Sequence, residues 1–85
     1  MKGSKRQITP ELDLHGLRAA TAEQLLEDFM HVKLENGLED VIVIHGHGRG
    51  VIRDLVDAWI INHQHLVTDH QPTHDGGATY IRFKR

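Results

Sequence analysis

Four consecutive β-branched residues at positions 41–44, Val-Ile-Val-Ile, constrain the fold of this 85-residue chain more than any other feature. A strand that is apolar on both faces is typical of a central, covered strand, often within a βαβ unit. Further upstream, the alternating residues Glu11–His15 predict a short strand, and a helical pattern lies between the two. We therefore expect two parallel neighbouring strands joined by a right-handed helical crossover.

The first predicted helix has apolar residues at helical spacing, namely Ala22, Leu25, Leu26, Phe29 and Val32. Thr21 and Gln24 match a capping box at its start, and Asn36-Gly37 matches a helix stop. A second helix should begin near Val51, and its apolar stripe consists of Ile52, Leu55, Val56, Trp59 and Ile60. Because Trp59 lies on this stripe, we expect it in the core rather than in a ligand site.

The remaining segments complete the predicted order β-α-β-α-β-β. Residues 66–69 predict a third strand, residues 71–77 a turn-rich loop, and residues 78–83 a fourth strand. This order favours an α+β fold, a two-layer α/β sandwich with a four-stranded mixed sheet and two helices. The length supports a single domain at 10–85, and the polar, basic residues 1–9 predict a flexible arm before it.

Composition excludes several classes of protein. Cysteine is absent, which rules out disulfides, zinc–thiolate sites and thiol nucleophiles. No apolar run reaches the ~20 residues of a membrane span, and no signal peptide opens the chain. We therefore expect a cytoplasmic protein with no membrane partner.

The net charge of −2 does not by itself indicate nucleic acid, but the charge is unevenly distributed. Residues 1–18 carry a net +2, residues 19–48 a net −5 and residues 49–85 a net +1. One side of the protein can therefore approach a polyanion. The alternative is an evenly solvated surface.

Asp13, His15 and His45 stand at the carboxyl ends of the two predicted parallel strands, the sheet edge at which ligands usually bind. Asp13 and His15 are two residues apart, so both side chains point to the same face of the strand. A carboxylate that holds an imidazole in one tautomer suits acid–base chemistry. The alternative is that Asp13 caps a turn and His15 is a structural histidine.

Glycine alternates with polar residues in the loop His45-Gly46-His47-Gly48-Arg49-Gly50. Such glycines allow close approach of backbone N–H groups to a ligand, and the following helix adds free N–H groups and the positive end of its dipole. The guanidinium of Arg49 matches a phosphate. The spacing is neither that of a Walker loop nor that of a dinucleotide fingerprint. The candidate phosphate-binding residues are Gly46, His47, Gly48, Arg49, Gly50 and Arg53; the alternative is a tight turn with an exposed arginine.

Two other groups of polar residues are less specific. The late histidines carry no metal-binding spacing and are interpreted as surface residues, so no metal ligands are predicted; they are His63, His65, His70 and His74. Tyr80 and Arg82 share one face of the last strand and could be solvated or contact a polyanion.

Three motifs in order resemble the signatures of the Smr (small MutS-related) domain family. They are Leu12-Asp13-Leu14-His15-Gly16, His45-Gly46-His47-Gly48 and Gly76-Gly77-Ala78-Thr79. The resemblance covers residues 10–85 and implies a two-layer sandwich similar to the C-terminal domain of a bacterial translation initiation factor. The last motif departs from the family pattern, Gly-Gly-x-Gly-Ala-Thr, because this chain reads Asp75-Gly76-Gly77-Ala78-Thr79 and has a shorter loop there.

The resemblance implies nucleic-acid binding and an endonuclease activity on DNA or RNA, with catalytic roles for Asp13, His15 and His45. Smr domains occur alone and as C-terminal modules of MutS-like ATPases, so the partners implied are DNA, RNA and the remainder of such an ATPase. On RNA a histidine could activate the 2′-hydroxyl without metal. On DNA water must attack, and a divalent ion held partly by Asp13 would assist it.

Two other hypotheses remain open from the sequence. One is a non-catalytic module that recognises branched or structured nucleic acid within a larger MutS-like or ribosome-associated protein. The other is a protein-interaction domain that uses the acidic first helix.

Overall fold

The computed structural model describes residues 8–84, so most of the predicted basic arm lies outside the described residues. Its main elements, in chain order, are β1 (Glu11–Asp13), α1 (Ala19–Glu35), β2 (Asp40–Ile44), α2 (Val51–Asn62), β3 (Val67–Thr73) and β4 (Ala78–Phe83). Short 3₁₀ turns at Gln64–Leu66 and His74–Gly76 flank β3. The predicted order β-α-β-α-β-β is confirmed.

The four strands form one mixed sheet in the order β1-β2-β4-β3. β1 and β2 are parallel, with Asp13 paired to Ile44, whereas β4 is antiparallel to both β2 and β3. β2 therefore lies inside the sheet between β1 and β4, as its β-branched run predicts. The predicted mixed sheet and α+β class are both confirmed.

A single apolar core lies between the helices and one face of the sheet. Val41 and Val43 of β2 are fully buried in it, whereas Ile42 and Ile44 on the opposite face are half-buried. β2 is thus covered by helices on one face only, although its continuous apolar run predicts cover on both. Trp59 is 5% exposed and belongs to this core, as expected.

The start of α1 differs from the prediction. The helix begins at Ala19, and Arg18 is its N-cap without a side-chain hydrogen bond. Thr21 therefore lies inside the helix, and Gln24 donates a hydrogen bond to Asp28 at 3.1 Å instead of completing a capping box. The capping-box prediction is wrong, because two alanines extend the helix upstream.

The end of α1 agrees with the prediction, but its buried face does not. Asn36 is the C-cap, and Gly37 follows at a φ of 72°, where glycine is favoured. The predicted stripe is rotated on the helix. The residues buried against the core are Ala22, Leu26 and Met30, whereas Leu25 and Val32 are 40% and 46% exposed.

β3 is longer than predicted, because it continues to Thr73 through residues 71–73 of the expected loop. Pro72 lies within it, paired to Thr79 of β4. β3 is an edge strand, and an edge tolerates proline because one side of the strand needs no ladder hydrogen bonds. The loop that remains before β4 is short, with His74 and Asp75 both at positive φ. None of the helices within residues 8–84 is long and apolar enough to cross a membrane.

Candidate functional site

The carboxyl ends of β1 and β2 meet at one edge of the sheet, as the parallel pairing predicts. The backbone amide of Leu14 continues the pairing by donating to the carbonyl of Ile44 at 2.7 Å. His15 then lies beside Gly46, where an added Cβ would stand 3.1 Å from the Cβ of His15. The two loops enclose a cleft of about 350 Å³, lined by His15, Gly16, Leu17 and residues 45–52.

Asp13 and His15 form a hydrogen-bonded pair beside this cleft. The imidazole Nδ1 of His15 lies 2.5 Å from Oδ1 of Asp13, and the backbone amide of His15 donates to the same oxygen at 3.1 Å. The imidazole hydrogen bond, followed by the amide hydrogen bond, holds the pKa of the Asp13 carboxyl below its usual value. An ionised carboxylate only accepts, so Nδ1 of His15 is the donor.

This arrangement leaves Nε2 of His15 as the chemically available nitrogen. Within residues 8–84 that atom has no hydrogen-bond partner. The His15 side chain is 67% exposed. The carboxylate fixes the tautomer of the ring, and the second nitrogen has no competing hydrogen bond. Such a ring can accept a proton from a ligand in the cleft.

His45 is held very differently, although it lines the same cleft. It is only 6% exposed, and both ring nitrogens are engaged. Nδ1 lies 3.1 Å from the carbonyl oxygen of Gly46, and Nε2 lies 3.0 Å from the hydroxyl of Thr79. Because a carbonyl only accepts, Nδ1 donates to Gly46, and Nε2 is paired with the hydroxyl of Thr79. In this arrangement His45 links residues 45–50, the glycine loop, to β4. Its part in proton transfer stays a prediction.

The loop before β4 supports the glycine loop. The carbonyl of Gly77 accepts from the backbone amides of His45 and Gly46, at 2.9 and 2.8 Å. His47 adds a hydrogen bond from Nε2 to the carbonyl of Asp75 at 3.1 Å. A Cβ on Gly77 would lie 2.7 Å from Cε1 of His47, so the imidazole packs directly on this glycine. The shortened last motif therefore acts as a support for the site.

The start of α2 places positive groups at the cleft: Arg49 lines it, and Arg53 lies next to the lining residue Gly50. Gly50 is the N-cap at a φ of 92°, and no side chain caps the first free amides of the helix. Arg53 folds back over Gly50, with Nη2 3.0 Å from the position of an added Cβ. Arg49 is exposed and forms no ion pair with any residue of the described chain. Asp54 is the single acidic residue in the first turn, and it does not line the cleft.

The late histidines are not gathered into a site. No group of three or more His, Asp or Glu side chains within residues 8–84 is placed to hold a metal ion. His63 stacks on Trp59 with ring centroids 4.0 Å apart and donates from Nδ1 to the Trp59 carbonyl at 2.7 Å. Tyr80, at the other end of the sheet, donates its hydroxyl to Asp40 at 2.8 Å.

Four residues that shape the site are not among the predicted site residues, namely Leu17, Val51, Gly77 and Thr79. Thr79 belongs to a motif already identified, but its contact with His45 spans 34 positions. Only the antiparallel pairing of β2 and β4, which places Thr79 opposite Val43, brings the two together. Leu17 and Val51 carry no polar group, so a search for chemistry-bearing residues passes over them.

Comparison with known proteins gives a consistent result. The family model of the Smr domain matches residues 12–84. The chain is similar to the protein named endonuclease MutS2 of Streptococcus thermophilus, with 40% identity over 68 residues. It is also similar to endonuclease MutS2 of Helicobacter pylori, with 32% identity over 74 residues. These matches cover 79% and 86% of this chain but only 9% and 10% of the relatives, so the chain spans about a tenth of their length.

Two solved structures share the fold. The Smr domain of Thermus thermophilus MutS2 superposes with a TM-score of 0.77 at 22% identity, covering 91% of this chain and 100% of that one. YdaL, a stand-alone small MutS-related protein from Escherichia coli, gives a TM-score of 0.79 at 22% identity. That match covers 88% of this chain and 64% of YdaL.

Proposed function

Because this chain belongs to the Smr domain family, we propose that it binds nucleic acid in the cleft and cleaves a phosphodiester bond there. The observation that carries this proposal is the Asp13–His15 pair, an oriented imidazole beside a cleft that lies at a helix start. The name endonuclease, given to the MutS2 relatives, is consistent with it.

Phosphate binding falls to the glycine loop and the start of α2. The uncapped amides of α2 and the side chains of Arg49 and Arg53 provide hydrogen-bond donors and positive charge. Gly48 supports the same role. Its backbone lies outside the left-handed region, and nothing lies within 4 Å of an added Cβ, so the fold itself does not require glycine there. A phosphate that approaches the backbone closely gives glycine a function at this position.

On RNA, His15 is the proposed general base. Nε2 takes the proton of the 2′-hydroxyl, the 2′-oxygen bonds to phosphorus, and the bond from phosphorus to the 5′-oxygen breaks. Asp13 stabilises the imidazolium that results. The leaving 5′-oxygen needs a proton from a second group. His45 is the predicted donor, but its Nε2 would first have to break the hydrogen bond to Thr79. The exposed His47, which lines the same cleft, is the alternative donor.

DNA lacks the 2′-hydroxyl, so its cleavage requires attack by water, for which a bound divalent ion can supply hydroxide. Residues 8–84 do not form a protein cage for such an ion. Asp13 is already engaged by His15, and the described chain brings no three ligating side chains together. The Asp13–His15 pair can activate a 2′-hydroxyl without a metal ion, and this pair is what supports RNA as the substrate.

The experiment is a cleavage assay on labelled single-stranded RNA, supercoiled plasmid and branched DNA, each with and without EDTA. The matched control is His15→Gln, which removes the base from an exposed position. We expect RNA cleavage that survives EDTA, leaves 5′-hydroxyl ends and is lost in the variant. Binding without cleavage by the wild type would contradict the proposed endonuclease activity and favour a non-catalytic module for structured nucleic acid. Cleavage that is abolished by EDTA would instead identify the metal-dependent route.

A further inference from the structure

Part of the cleft lining is apolar, although phosphate binding needs only polar donors. Leu17 and Val51 both line the cleft beside His15 and Arg49, and they are 36% and 53% exposed. The mostly buried Ile52 lies next to them in the lining. A single exposed aliphatic residue needs no explanation. Two exposed aliphatic residues in the cleft beside the acid–base pair suggest that the ligand has an apolar group.

Both side chains stand on fixed backbone. The amide of Leu17 donates to the carbonyl of Leu14 at 3.2 Å, which closes a turn directly after β1. Val51 is the first residue of α2, immediately after the left-handed Gly50. The two side chains therefore present a preformed apolar surface that a ligand need not order on binding.

We propose that Leu17 and Val51 form the seat of a nucleobase next to the bound phosphate, so that the site takes unpaired or extruded nucleotides. This inference rests on the proposed function. The face of a base is flat and weakly hydrated, and it gains free energy when apolar side chains cover it. Phosphate and ribose hydroxyls gain nothing comparable from an aliphatic wall.

The cleft has room for about one nucleotide. Its volume of about 350 Å³ lies near the lower end of small-ligand sites, which range over roughly 300–1,000 Å³. Within a duplex both faces of every base are covered by stacked neighbours. A duplex would therefore have to extrude a nucleotide, at the cost of unstacking, before Leu17 and Val51 could contact it.

An aliphatic seat selects structure rather than sequence. Leu17 and Val51 offer no hydrogen-bond donors or acceptors, so they cannot distinguish the Watson–Crick edges of the bases. Contact with a base face increases with its area, so purines should bind more tightly than pyrimidines. An abasic nucleotide should lose the contact entirely while keeping its sugar and phosphate.

The test measures fluorescence anisotropy with a short 2′-O-methyl RNA oligonucleotide, which cannot be cleaved through its 2′-oxygen. Matched probes are the same strand with abasic residues and the same strand in a duplex. The variants are Leu17→Asn and the nearly isosteric Val51→Thr, which preserves the fold. The control is Ile61→Thr, since Ile61 is 63% exposed on α2 but does not line the cleft.

We expect each cleft variant to weaken binding of the single strand by about three- to tenfold, as for loss of one base contact. Binding of the abasic strand and of the duplex should not change, nor should the control variant change any affinity. Unchanged affinity for the intact strand, or an equal loss for the abasic strand, would overturn the base seat. The charge reversal Arg49→Glu separates this outcome from failure of the proposed function. If Arg49→Glu weakens no probe, the phosphate site itself is wrong.

Discussion

Asp13 and His15 hold each other without help from the rest of the fold, through two hydrogen bonds to the same carboxylate oxygen. More than half of each side chain is exposed. The pair therefore contributes little to the core, and its substitution should affect chemistry more than folding.

Replacing either member of the pair should reduce cleavage far more than it weakens binding. In Asp13→Asn the amide oxygen can still accept the hydrogen bond, but the charge that stabilises an imidazolium is gone. In His15→Gln the base itself is gone. We expect the single-turnover rate to fall by roughly 10²–10⁴-fold in His15→Gln and by less in Asp13→Asn. Full activity in a folded His15→Gln protein would exclude His15 as the base.

Charge reversal at Arg49 should weaken nucleic-acid binding for every sequence, because a phosphate contact carries no base information. Arg49→Glu should also reduce the slope of log affinity against log salt by about one. Arg82→Glu is the matched control, since Arg82 is exposed on β4 and does not line this cleft. An equal effect of both variants would mean that net charge alone, and not the loop, determines affinity.

Gly77→Ala should destabilise the protein only while His47 is present. The added methyl meets the His47 ring at 2.7 Å, and moving the ring breaks its hydrogen bond to Asp75. The backbone of Gly77, with φ at −88°, suits alanine. We expect a loss of about 1 kcal/mol in the free energy of unfolding. In a His47→Ala background the same change should be neutral or slightly stabilising, since alanine restricts the unfolded chain.

Denaturant unfolding of the four proteins in this double-mutant cycle provides the measurement. Equal effects of Gly77→Ala in both backgrounds would show that the His47 ring does not pack on Gly77.

Tyr80 should titrate above its ordinary pKa of 10.0, because burial and the hydrogen bond to Asp40 both favour the neutral phenol. A raised pKa in the folded state stabilises the protein below pH 10 and loses that contribution as pH rises through the folded value. Tyr80 is the only tyrosine, so ultraviolet absorbance reports its ionisation alone. Asp40→Asn should lower the midpoint toward 10.0. An unchanged midpoint in this variant would assign the raised pKa to burial and the charge of Asp69 instead.

A bell-shaped dependence of the cleavage rate on pH is the prediction for two histidines that share proton transfer. The variant His45→Ala tests whether His45 is one of these two histidines. Because both of its nitrogens are engaged in this structure, we expect His45→Ala to lower the melting temperature while the profile keeps its shape. If the pH profile of the rate, measured per folded molecule, instead loses one limb, His45 is the second proton-transfer group. Thr79→Val is the control, since it removes the hydrogen bond and keeps the imidazole.

The sheet could be predicted because its signals are local. The β-branched run at 41–44 and the alternation at 78–83 each specify a strand within a few residues. Other boundaries depend on competition between neighbours. Thr21 has the chemistry of a cap, yet the two alanines before it extend α1 upstream. Pro72 suggests a loop, yet an edge strand accepts it.

The site could be predicted only as far as its parts lie close in sequence. The spacing of Asp13 and His15 already indicates that they share a face, and the structure brings them into contact. The burial of His45 depends on Thr79 and on the support from Gly77, which reach it only through the pairing of β2 with β4. No pattern around residue 45 contains that information.

Because β1 is an edge strand, the two halves of the site should differ in their resistance to local unfolding. β1 has three residues and one neighbouring strand, and beyond it Leu14 anchors this end of the chain in the core. The glycine loop is instead fastened to β4 in the interior of the sheet. Local opening at an edge requires less free energy than opening at the centre. Mild denaturant should therefore detach His15 first and leave a protein that keeps the proposed phosphate-binding loop but has lost the proposed base.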